Sequence, residues 1–199
     1  MAPSDSRERI LSSASELFRR HGYQATSWRQ IVDHGDAPWG SIAFLFPGGK
    51  TQLGAEAVAR LGRETDARLR QVFFDPTDVT RSLVAFVKAS TDQLEESDWE
   101  LGSPLATIAL EMAHRDDDIG AACIHAYDLW VQTLAELCTP QLGERAAAEL
   151  AGVFLSAWEG ALLRARTQRS RVPLDELAAA TPRLVKMVEG AAPRTPDNE

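Results

Sequence analysis

The sequence predicts an all-α fold of about nine helices, opening on a short helix-turn-helix head and continuing into a longer helical body. Three observations carry this expectation. Apolar residues recur every three to four positions along most of the chain, no alternating strand run of useful length interrupts them, and Gly, Pro and Asp gather where helices would stop. The stops fall at Gly22, Gly35 to Pro38, Pro47 to Gly49, Asp75-Pro76, Gly102 to Pro104, Pro140 to Gly143 and Pro173. Helices are therefore expected at roughly 4–21, 27–34, 38–45, 48–73, 77–96, 104–114, 117–138, 143–169 and 174–190. The polar, proline-containing residues 191–199 are expected to form a flexible tail.

Each element has its own local reason. In the first helix, Ile10, Leu11, Ala14, Leu17 and Phe18 form one apolar stripe. The second opens at "TSWRQ", where Thr26 or Ser27 can cap it and Gln30 stands three residues after Ser27 as a capping-box partner. The third restarts at Pro38, a favoured first helical residue. "AVARLGRETDARLRQVF" and "AELAGVFLSAWEGALLRAR" extend the same periodicity over longer spans. Asp116, Asp117 and Asp118 suit the positive end of the seventh helix better than a metal. That helix also carries Cys123 and Cys138, whose fifteen-residue separation amounts to roughly 22 Å, too far for a disulfide. Both are expected to be small buried apolar residues.

Composition excludes several classes of function. A chain of 199 residues that is 44% hydrophobic and 25% charged is an ordinary globular one. No stretch approaches the roughly 20 uninterrupted apolar residues of a membrane helix, so a cytoplasmic protein with no membrane partner is expected. The net charge of -8 argues against a protein that coats nucleic acid nonspecifically. Residues 1–50 hold six Lys and Arg against five acids, a net of +1, which leaves -9 for the remaining 149. A near-neutral head and an acidic body suggest different partners. No Gly-rich phosphate loop is present, and no cofactor is implied. "EMAH" places Glu111 and His114 at the spacing of a di-iron helix, but such a site needs two pairs and two further glutamates. No metal site and no enzymatic activity are expected.

Two short helices joined by a three-to-four-residue turn containing Gly have the form of a helix-turn-helix, whose second member enters the major groove. "GYQATSWRQIVDHGDAPWGSIAFLFPGGKTQLGAEAV" (22–58) resembles the TetR family of bacterial transcriptional repressors. "FPGGK" and "WEGALLRARTQRSRVPLDEL" (158–177) are similar to its LmrA/YxaF-type branch, and the resemblance runs through "GSPLATIALEMAH" (102–114) to the last helix. It implies a DNA-binding head at 1–47 and a ligand-binding, dimerising body at 48–190. The implied function is a ligand-responsive transcriptional repressor that binds a palindromic double-stranded DNA operator as a homodimer and is released by a small apolar or aromatic effector.

The candidate site residues follow from the residue types and this likeness together. Phe18, Ile31, Ile42 and Phe46 would pack the head. Ser27, Arg29 and Ser41 suit phosphate contacts, and Lys50 opens the fourth helix, where free backbone N–H groups and an ammonium together favour a phosphate. For Ser27 a purely capping role, and for Lys50 a solvated surface position, remain open. Trp39, Gly40, Ala43 and Phe44 would face outward. They depart from the family pattern, which usually has a lysine, a tyrosine and polar neighbours there, and they offer bases only apolar contact, chiefly with thymine methyl groups. Asp36 stands at the usual turn glycine, a position Asp tolerates because it visits the left-handed region. Phe86, Trp99, Leu110, Trp130, Phe154 and Trp158, with Met112 and the buried polar groups Glu111 and His114, could hold the effector or be ordinary core. Trp158, Leu162, Leu184 and Val188, on the last two helices, are the expected dimer interface. The alternative is a protein of this fold with impaired DNA binding that acts as a small-molecule sink, or as a protein partner through Trp39 and Phe44.

Overall fold

The computed structural model describes residues 3–73 and 77–191. Among them run nine α-helices: α1 (Pro3–His21), α2 (Trp28–His34), α3 (Ile42–Leu45), α4 (Gly49–Val72), α5 (Val79–Glu96), α6 (Ala106–Met112), α7 (Asp117–Leu142), α8 (Glu144–Gln168) and α9 (Val172–Ala191). A 3-10 turn, Trp39–Ser41, precedes α3, and no strand occurs among the described residues. The all-α expectation holds. The stop at Asp75-Pro76 and the tail beyond Ala191 lie outside the described residues.

Three boundaries differ from expectation for local reasons. The third helix does not start at Pro38, which is extended at ψ 128. Its carbonyl takes both the Ser41 N–H at 3.2 Å and the Ser41 hydroxyl at 2.7 Å, closing a 3-10 turn before a single α turn begins. α7 continues through Pro140 in its last turn, giving up the one i→i−4 hydrogen bond that residue would make. Gly143, at φ +76, ends it instead. α9 starts at Val172, with Pro173 in its first turn, where no N–H partner is needed.

The described chain divides into two compact units, one comprising residues up to Thr65 with Glu100–Leu129, the other Asp66–Trp99 and residues from Trp130 onward. The first holds α1 to α3, α6 and the N-terminal parts of α4 and α7. Ile10, Phe18, Ile31, Phe46 and Leu53 are buried there, each burial contributing roughly 1.5–3 kcal/mol. The buried Ser13 hydroxyl donates to the Ile31 carbonyl at 2.7 Å, tying α1 to α2. Ile42, an expected core residue, is only half-buried, and Leu45 is buried instead. The 3-10 turn advances about 20° more per residue than an α-helix, so three residues rotate the following face by roughly 60°.

In the second unit α5 packs against α8 and α9. Leu83, Val87, Leu94, Phe154 and Leu174 are buried. The buried Thr133 hydroxyl donates to Asp66 Oδ1 at 2.6 Å and accepts from Arg70 at 2.9 Å. α8 is long and apolar enough to cross a membrane by length and composition alone, yet half of its apolar stretch is buried within the chain, as in a core helix. Cys123 and Cys138 are free and buried on α7, as expected, and burial pushes their thiols up to about 11 and about 12.

Candidate nucleic-acid interface

α2 is specified by its first four residues. Ser27 sits in the extended region and its hydroxyl accepts the Gln30 N–H at 3.3 Å, while the Gln30 side chain accepts the Ser27 N–H at 2.7 Å and the Ser27 hydroxyl at 2.8 Å. This is the complete capping box. Thr26, the other possible cap, is buried and donates to the Gly22 carbonyl at 2.7 Å. Ile31 and Val32 face inward, and the Trp28 and Phe46 rings lie 6.4 Å apart. At the turn, Asp36 adopts φ +45, the left-handed conformation expected of it. Its carboxylate meets Arg9 at 3.3 Å, which offsets the negative charge it brings to this surface.

The segment after the turn presents apolar side chains outward. Trp39 is 54% exposed and Phe44 81%, with Gly40 and Ala43 also exposed. Trp28, Trp39, Ile42, Ala43, Phe46, Pro47 and Gly49 line an open groove of about 370 Å³. Ser41 is half-buried, and the Arg29 side chain is extended into solvent, 3.6 Å from Asp33.

Lys50 departs from its expected outward pose. Its ammonium donates to the Tyr23 carbonyl at 2.6 Å and stands 4.3 Å from the Tyr23 ring centroid and 5.9 Å from that of Phe18. It clasps the turn between α1 and α2 as a cation on two rings. Burial lowers its pKa below the ordinary lysine value, and the charge of Glu111 opposes that fall.

Glu111 and His114 are corrections to the effector set. Glu111 is half-buried, but its carboxylate accepts the Gln24 N–H at 2.8 Å and fills the space a Cβ on Gly22 would need. Gly22 is required by its φ of +90, while the Glu111 carboxylate, the end of a flexible side chain, could swing aside. His114 is exposed in the turn after α6, and Leu110 is 74% exposed on the outward side of that short helix. Among the described residues no three His, Cys, Asp or Glu side chains converge as metal ligands would.

The aromatic candidates do come together in the second unit. Phe86 and Trp158 rings lie 5.0 Å apart, Trp130 and Trp158 meet edge-on at 6.0 Å, and the Trp158 indole donates to Ser90 at 3.0 Å. All are buried, as is Phe154, whereas Trp99 is half-buried in the turn after α5 at φ +65. The expected interface residues Trp158, Leu162 and Val188 are buried inside a single chain, so these three are core and not a free face, while Leu184 is half-buried. The exposed large apolar residues of the same helices are Val153, Leu163, Val172 and Met187, with Gly152, Ser156 and Gly160 interspersed on α8.

Sequence reasoning missed Arg19. Buried at the end of α1, it donates to the Gly102 carbonyl at 2.7 and 3.0 Å and to that of Leu101 at 3.2 Å. Beside it Arg20 pairs with Glu16 and Glu100. The basic last turn of α1 was the available signal, but its partners lie 83 residues further on.

A capped α2, a tight turn and a short outward-facing α3 define a transcriptional regulator of the helix-turn-helix type. Residues 80–180 match the model of the LmrA/YxaF-like transcriptional regulator C-terminal domain. The chain is 32% identical over 187 residues to the HTH-type transcriptional regulator LmrA of Bacillus subtilis, covering 94% of this chain and 100% of that one. It is 31% identical over 183 residues to the HTH-type regulator YxaF of the same organism, covering 92% and 96%. The crystal structure of the regulatory protein TetR from Rhodobacter sphaeroides superposes with a TM-score of 0.80 at 22% identity, over 90% of this chain and 98% of that one. The chain belongs to the TetR family of transcriptional regulators, in its LmrA/YxaF-type branch.

Proposed function

We propose that this regulator is a homodimeric repressor whose heads, residues 1–47, bind a palindromic double-stranded operator, and whose body, residues 48–190, takes a small apolar or aromatic effector that releases it. The observation that carries this reading is the outward array of Trp39 and Gly40 on the 3-10 turn and Ala43 and Phe44 on α3, held behind a fully capped α2. Phosphate contacts fall to Arg29, the one extended cation among the candidates, with Ser27, Ser41 and the first turn of α4 beside Lys50. Phe86, Trp99, Trp130, Phe154 and Trp158 supply the apolar surface an effector needs. The outward residues Val153, Leu163 and Met187 offer the face for a second copy.

Release follows from linkage. An effector that binds better to a dimer whose heads no longer match two major grooves about 34 Å apart lowers operator affinity, and the operator lowers effector affinity by the same factor. An effector that bound without changing operator affinity would refute this step. Selection of bound sequences from random DNA by the full-length protein tests the whole reading: a two-fold symmetric site is expected. No enriched sequence at moderate salt would favour the other reading, a protein-binding or ligand-storing role, for which the 81% exposure of Phe44 is the supporting observation.

A further inference from the structure

We propose that the α3 face recognises the C5-methyl groups of major-groove pyrimidines whichever base carries them, so that 5-methylcytosine substitutes for thymine at the contacted positions. This rests on the reading that the head binds an operator, and it states what the head senses there. In the major groove thymine shows a C5-methyl beside the O4 acceptor, whereas cytosine shows the N4 donor and no methyl. Telling thymine from 5-methylcytosine therefore needs a polar group aimed at position 4. Telling either from unmethylated cytosine needs only an apolar surface.

The outward side chains have that second character. Among Trp39, Ala43 and Phe44 the sole polar side-chain atom is the indole N–H of Trp39. The neighbouring hydroxyl protons are already engaged, that of Ser41 on the Pro38 carbonyl at 2.7 Å and that of Ser27 on Gln30 at 2.8 Å. Beside Phe44 runs the groove lined by the side chains of Trp28, Trp39, Ile42, Ala43, Phe46 and Pro47 and by Gly49, mostly apolar. Gly40 adds no side chain, and a Cβ there would meet nothing within 4 Å, so DNA can approach the backbone closely. Kinship with HTH-type transcriptional regulators makes a nucleic acid the occupant, and the head, at a net of +1, lacks the acidity of the other 149 residues, which carry -9.

The test uses the operator recovered by selection and the full-length protein. Replacing half-site thymines by deoxyuridine removes the methyl and leaves pairing and O4 intact, and affinity is expected to fall about fourfold per contacted methyl. With cytosine at the same positions, C5-methylation is expected to raise affinity by a similar factor. In F44A both differences shrink toward unity. Phe44 is surface-exposed, so that variant keeps its fold, and W39A provides a second reading of the same loss. Equal binding of thymine and deoxyuridine, or no gain from cytosine methylation, would overturn methyl recognition while leaving operator binding in place. Failure to bind any sequence specifically would overturn both.

Discussion

Large aromatic side chains occur in two places in this chain with opposite fates. Trp130, Trp158 and Phe86 in the second unit are buried against one another, while Trp39 and Phe44 in the head stand 54% and 81% exposed. Residue type is the same in both. What differs is the element that carries it: α7, α8 and α5 run 26, 25 and 18 residues and each has a continuous face to bury, whereas Trp39 stands on a three-residue 3-10 turn and Phe44 on α3, a single four-residue turn. Its two inward positions, Leu45 and Phe46, saturate the head's core and leave the rest in solvent. Burial of an aromatic residue reports packing, whereas two large ones exposed on one short segment form an apolar surface patch.

The comparison breaks most sharply under truncation. Trp130→Ala is expected to cost about 3–5 kcal/mol of unfolding free energy in urea titration, and Phe44→Ala less than about 0.5 kcal/mol. Similar losses for the two would place Phe44 in the core. The next largest effect lies on the faces of α8 and α9. Leu163→Glu with Met187→Glu is expected to weaken dimerisation by about 2 kcal/mol or more, roughly 30-fold, in sedimentation, with helical content unchanged. Leu162→Glu, one residue away but buried, is expected to unfold the chain. Soluble dimers of the double variant would put the interface elsewhere.

A smaller contrast separates the two head helices. Ser27→Ala removes the cap of α2 and is expected to cost about 1 kcal/mol, whereas Ser41→Ala, which caps nothing, changes stability by less than about 0.5 kcal/mol. The smallest effect concerns the two thiols. Burial raises their folded pKa from 9.0 to about 11 and about 12, so the folded chain keeps protons that the unfolded chain releases. Stability falls as pH rises above 9.0, and that part of the slope should vanish in Cys123→Ala with Cys138→Ala. An unchanged slope would mean that the thiols are not buried in solution.

What could be read from the sequence was local. The Ser27–Gln30 box, the left-handed Asp36 and most helix ends depend on residues within four positions of each other, and these were legible. The interchange of Ile42 and Leu45 was not, because it depends on whether Pro38 starts a helix or a 3-10 turn. Nor could apolar periodicity on α8 separate the stripe that packs inside one chain, with Trp158 and Leu162, from the weaker stripe of Val153 and Leu163 that faces out. Arg19, Glu111 and Lys50 fasten segments distant in sequence, so charge patterning gave no hint of their partners.

In the proposed function, the apolar face from Trp39 to Phe44 selects the operator's bases while Arg29, with Ser27, Ser41 and the first turn of α4, holds its phosphates. The direct measurement is the affinity of wild type, Phe44→Ala and Arg29→Ala for the selected operator and for variants changed at single half-site positions, over a range of salt. Phe44→Ala is expected to relax base preference at the contacted positions by about 1 kcal/mol or more, with the salt dependence unchanged. Arg29→Ala is expected to weaken every sequence alike and to lower the salt slope by about 1 per subunit. Unchanged affinity and unchanged preference in Phe44→Ala would contradict the account.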